Sequence, residues 1–122
     1  MRQIEMGKVR EACEKDTKNY NKMLRWQEVE TAGLKYMEPE QREAFMKSAE
    51  EMRKRVVTIT DYRILTSECQ PEKNSAEVLA EFDYYILPSN RIKTLTYRQQ
   101  WVYHDEDGKK GWKLKTGLPL FE

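Results

Sequence analysis

Histidine occurs once in this chain and cysteine twice, so the side chains that most often hold metals or act as nucleophiles are scarce. Cys13 and Cys69 are too few and too far apart to declare a disulfide framework or a metal site. Each reads as an ordinary free thiol, Cys13 on the apolar stripe of a helix and Cys69 at a strand end. There is no glycine-rich phosphate loop, serine nucleophile elbow, metal-spaced ligand set or kinase-like motif. Asp105-Glu106-Asp107 lacks the alternating ligands of a calcium loop. No metal and no cofactor is expected. No run is long and apolar enough to span a bilayer, and the N-terminus lacks the apolar core of a signal peptide. The chain therefore reads as cytoplasmic if complete, and as periplasmic or lipid-anchored if a leader was removed. An excess of one charge is missing too: 22 Lys and Arg face 21 Asp and Glu, a formal net charge of +1. That balance argues against a nucleic-acid partner, which calls for a basic excess or stripe. The one basic run, Arg53-Lys54-Arg55, falls where a helix should end, and cations favour that end of the macrodipole.

What the chain does have is patterning. At 122 residues it is long enough for a single core, and 1–122 reads as one domain. With 35% charged residues, the apolar ones must be concentrated on faces. From about Ile4 to Glu28, Val9, Ala12, Cys13, Asp16, Tyr20, Met23, Leu24 and Gln27 recur at helical spacing. The lysines and glutamates opposite read as a solvated face. Trp26, Val29, Ala32, Leu34, Tyr36 and Met37, with Gly33 interrupting, read as a short second helix or turn that docks an aromatic anchor at each end. Pro39 opens a third helix with Ala44, Phe45, Ala49, Met52 and Val56 inward.

At Val56 the period becomes alternating. Val57 and Ile59 share one parity and Tyr62 and Ile64 the other, which calls for a bulge at Thr60-Asp61. Strict alternation, the alternative, turns Asp61 and Arg63 inward. Ala76 to Thr116 then holds three strands whose registers follow from their turns. Ser89-Asn90 signals a two-residue turn pairing Leu87 with Ile92. That register sets Tyr84 opposite Leu95, Phe82 opposite Tyr97, Ala80 opposite Gln99 and Val78 opposite Trp101, with Glu81 facing Arg98 on the other side. Asp107-Gly108, a favoured hairpin turn, sets Tyr103 opposite Trp112 and Trp101 opposite Leu114. Both turns put the same apolar face inward, and a one-residue slip would destroy it. Leu118, Leu120 and Phe121 on the terminal tail should pack down rather than hang in water.

Amphipathic helices and a one-faced sheet must bury their apolar sides against each other. The fold class is α+β, with N-terminal helices packed on one face of a curved four-stranded antiparallel meander sheet. The residues Trp26 to Val29, Tyr36 to Glu40, Thr58 to Ile64, Tyr84-Tyr85, Lys93-Thr94, Gln100-Trp101 and Gly111 to Leu114 resemble the nuclear transport factor 2-like superfamily. The likeness is to its small bacterial members of cone-shaped, cystatin-like fold. The resemblance implies a possible pocket between helices and sheet, and commonly a homodimer through the outer sheet face. Fold alone does not carry activity.

Superfamily members that abstract protons use an acid or histidine inside the cone. Here His104 and Asp83 fall on the outer parity, and His104 reads as a surface residue. Asp61 reaches the interior only in an unbulged strand, so no catalytic residue is assigned. Tyr84, Tyr97, Gln99 and Trp101 share the inner face with Trp112, and are the candidate ligand-binding set for a small apolar or aromatic molecule. The simpler account fills the core with them and satisfies Gln99 through Thr116 or helix backbone. Leu79, Tyr85, Leu87, Ile92 and Val102 lie on the outer face and form the candidate interface. The sequence therefore points to a non-enzymatic interaction or accessory domain, dimeric through that face. A small-molecule binder, or less readily a lyase or isomerase, is the alternative.

Overall fold

A computed structural model describes residues 2–106 and 109–122. Three α-helices, α1 (Arg2–Arg25), α2 (Val29–Tyr36) and α3 (Arg42–Lys54), precede four strands. These are β1 (Val57–Gln70), β2 (Ser75–Ile86), β3 (Lys93–Glu106) and β4 (Lys109–Leu114), all antiparallel in the order β1-β2-β3-β4. The helices lie on one face of the sheet, as the α+β reading expects.

The inward face of α1 is Cys13, Thr17, Tyr20, Asn21 and Leu24, so two polar residues stand in what reads as an apolar stripe. Gln27 adopts a left-handed backbone (φ 65°) and ends that helical path. Trp26 is not an anchor. It is exposed, with the Arg25 guanidinium 4.4 Å over its ring, while Tyr36 at the other end of α2 is buried. Leu34 is exposed as well. A 3₁₀ turn at Pro39–Gln41 leads into α3, whose Phe45, Ala49 and Met52 face inward. Val56 does not. It lies beyond the helix in a left-handed backbone (φ 54°) and points to solvent.

Gly33 is where α2 and α3 meet. A Cβ built there would come within 2.4 and 2.5 Å of the Phe45 ring, which is itself buried. Alanine is the better helix former by about 1 kcal/mol. The clash outweighs that gain, because overpacking costs about 1–3 kcal/mol. Gly33→Ala is expected to lower the urea midpoint; a raised midpoint would show that Phe45 can swing away.

Strand β1 is bulged at Thr60, where Ile59 pairs with Tyr84 but Asp61 with Asp83, and again at Leu65. The first bulge is the one its parity change demands, and it turns Asp61 outward. The second has no such signal. Between β3 and β4 the pairs are as the Asp-Gly turn sets them, Tyr103 with Trp112 and Trp101 with Leu114, although the turn itself lies outside the described residues. Between β2 and β3 the register differs by two. Val78 pairs with Gln99, Ala80 with Tyr97, Phe82 with Leu95 and Tyr84 with Lys93. The connection is therefore longer than a two-residue turn, running from Leu87 to Ile92 between the strand ends. The Leu87-Pro88 peptide in it is cis. Because the shift is even, the inward set is unchanged and Val78, Ala80, Phe82, Tyr84, Tyr97, Gln99 and Trp101 are all buried.

Cys13 and Cys69 are not free thiols. Folding brings their Cα atoms to 6.3 Å and they form a disulfide, joining α1 to the end of β1. Arg10 Nη1 donates to the Cys69 carbonyl at 3.0 Å beside it. At the other end of the β1 edge, Arg25 donates to the Ile59 carbonyl, and the Gln27 amide both donates to Val57 O and accepts from Ile59 N.

Candidate interaction site

The side chains of the inner face are buried. Tyr84, Tyr97, Gln99 and Trp101 are each at most 4% exposed, and the polar atoms of the last three are paired with one another or with α1. Gln99 Nε2 donates to Asn21 Oδ1 at 2.6 Å, and Asn21 Nδ2 donates back to Gln99 Oε1 at 3.2 Å. The same Oε1 accepts from the Trp101 indole at 3.2 Å, and Asn21 Nδ2 also reaches the Thr17 carbonyl at 2.8 Å. Gln99 is thus satisfied by a helix side chain, not by Thr116. The Thr116 hydroxyl accepts instead from the backbone N–H of Gln100. Tyr97 and Tyr20 share a hydrogen bond of 2.8 Å between their hydroxyls. Burial pushes both phenols above the ordinary tyrosine range, so neither supplies a base near neutrality.

The outer face is built around Arg63. Its Nε donates to Glu81 at 2.9 Å, while Nη1 and Nη2 grip the two oxygens of Asp83 at 3.1 and 2.9 Å. Thr94 donates to Asp83 Oδ1 at 2.7 Å. The guanidinium, then the Thr94 hydroxyl, hold the Asp83 carboxyl below the ordinary range, and the carboxylates raise Arg63 in turn. Asp61 stands outward on the same guanidinium at 3.6 Å and is exposed. The inward, catalytic alternative for it is closed.

Glu81 and Arg98 do not meet. The two-residue shift sets Arg98 opposite Leu79, so it reaches Glu77 at 2.8 Å, while Glu81 pairs with Arg63 across β1 and β2. Of the candidate interface, Leu79, Tyr85 and Val102 are half-buried within the sheet, whereas Leu87 and Ile92 are each 54% exposed in the connection after β2. Leu87 and Ile92 are not cross-strand partners, since both lie outside the paired residues.

No family model, curated protein or solved structure matches the chain.

Two arrangements have no signal in the sequence. His104 is not a surface residue: its side chain is 18% exposed and its Nε2 meets Oε1 of Glu38, itself only 8% exposed. Glu38 is brought there because its N–H donates to the Leu114 carbonyl, next to a parallel bridge between Met37 and Leu114. That pairing across 66 residues cannot be read from either neighbourhood. The second is an open groove between α1 and β1. Lys15, Lys18, Lys22 and Arg63 surround it and Tyr62 and Ile64 line its floor. Each lysine alone reads as part of a solvated helix face. Arg63 is already committed to Glu81 and Asp83. Among the described residues, no helix is long and apolar enough to cross a membrane.

Proposed function

We propose that this chain is a non-enzymatic interaction domain that works in an oxidising compartment and pairs two copies through the outer face of its sheet. The observation that carries the reading is the inner face. Its side chains are buried and Gln99 and Asn21 satisfy each other, so recognition belongs to the surface. The exposed apolar residues Leu87 and Ile92, in the connection that follows the strand of half-buried Tyr85, give that end of the sheet a dehydratable surface. A two-fold pairing would bury that patch twice through one self-complementary surface. The nuclear transport factor 2-like frame belongs to the same proposal; what supports it is the order of helices followed by an antiparallel meander. The Cys13–Cys69 bond supports the compartment, because such bonds persist in secreted and periplasmic proteins and are rare in reducing cytosol.

The test is sedimentation equilibrium on the wild type and on a Tyr85→Glu, Leu87→Glu variant. The wild type is expected to be dimeric at high micromolar concentration and the variant monomeric. A monomeric wild type overturns the proposal, and equal dimerisation of both moves the interface off this face.

A further inference from the structure

The residues after β4 have no regular secondary structure, yet they are held. Phe121 is 3% exposed and stands edge-on to Tyr84, with ring centroids 5.0 Å and planes 86° apart. Arg55 donates to the main-chain oxygen of Phe121. The Tyr84 hydroxyl and Lys93 Nζ donate to that of Glu122 at 3.0 and 2.7 Å. Leu120, just before Phe121, points to solvent, so one side chain in three of the apolar tail does not pack down as expected. Beside Phe121 a cavity of about 260 Å³ remains, walled by Met52, Val57, Leu118 and Pro119. The tail thus occupies a cleft without filling it.

The three donors come from side chains on α3's C-terminal end, β2 and β3, and they address main-chain oxygens rather than side chains. Selection falls to the ring slot formed with Tyr84. We infer that this cleft is a peptide-binding site, occupied in the free chain by its own segment 118–122. From a partner it takes a segment of the same chemistry, an aromatic residue at the end of a short apolar run. A segment held by a few side-chain hydrogen bonds and one ring opens at a fraction of the global unfolding cost. Self-occupancy then weakens apparent affinity by the fraction of molecules whose cleft is closed. The site is separate from the outer face, and its failure would leave the dimer proposal untouched.

The experiment uses the full chain and a fluorescein-labelled peptide Gly-Leu-Pro-Leu-Phe-Glu, read by fluorescence anisotropy. Phe121→Ala should bind the peptide at least about tenfold more tightly than the wild type, since the internal competitor is weakened. Arg55→Ala added to that variant should undo the gain, and a peptide with alanine for phenylalanine should not bind. A folded Phe121→Ala protein that binds no better than the wild type overturns the inference. So does a Phe121→Ala protein that fails to fold by circular dichroism, because the tail would then be core and not an exchangeable occupant.

Discussion

Replacing both Cys13 and Cys69 by alanine is expected to cost about 4 kcal/mol of stability, among the largest losses available to this chain. The bond closes a loop of 56 residues, and the chain-entropy cost released into the unfolded state grows with the logarithm of that length to about 4 kcal/mol. Little opposing gain comes from relieved packing, since Cys13 is fully buried and alanine leaves its neighbours in place. Urea unfolding of the oxidised, reduced and doubly substituted proteins reads the effect. Reduced and substituted forms should coincide, with a lower midpoint than the oxidised form. A midpoint indifferent to reductant would show that the thiols are unbonded, and thiol titration in denaturant would then find two.

Trp101→Ala is expected to cost about 3–5 kcal/mol, the range for removing a large buried aromatic with partial collapse of the cavity. Trp101 sits between Ala76 and Leu114 on the sheet, edge-on to Tyr20 at 5.5 Å and to Tyr36 at 5.7 Å. Its loss also removes the indole donor from Gln99. Trp26, exposed at the end of α1, is the control, and Trp26→Ala should stay near the wild-type melting temperature. A Trp101→Ala melting temperature within a degree or two of wild type would refute the central position assigned to the indole.

Which parts of this fold are legible in the sequence follows from what each signal can distinguish. The bulge at Thr60 is legible because two apolar pairs of opposite parity must share a face. The β3–β4 register is legible because an Asp-Gly pair tolerates few loop lengths. The β2–β3 register is not, because a connection from Leu87 to Ile92 and a two-residue turn at Ser89-Asn90 bury the same side chains. Glu81 and Arg98 are misassigned as partners by that shift alone. The site residues divide the same way. Burial of Tyr84, Tyr97, Gln99 and Trp101 follows from alternation, but the partner of Gln99 lies 78 residues away on a helix whose stripe reads as apolar. The Cys13–Cys69 and Glu38–His104 pairs are likewise products of the assembled fold, with no local pattern to announce them.

The Asn21–Gln99 amide pair has a meaning beyond satisfying two polar side chains. Hydrophobicity is degenerate here: sheets differing by an even number of residues between β2 and β3 are equivalent to it. Helix α1 breaks the degeneracy by carrying two addresses eight positions apart, about 12 Å along its axis. Cys13 fixes the row Cys69–Ala76–Trp101–Leu114, and Asn21 fixes the row Ser67–Val78–Gln99. Sliding β3 by two residues against β2 keeps one address only by abandoning the other. The information that selects one sheet from its near-twins is therefore written on a helix, in one covalent bond and one pair of amides. A chain stripped of both would still know its inside from its outside, and would no longer know which rung it stood on.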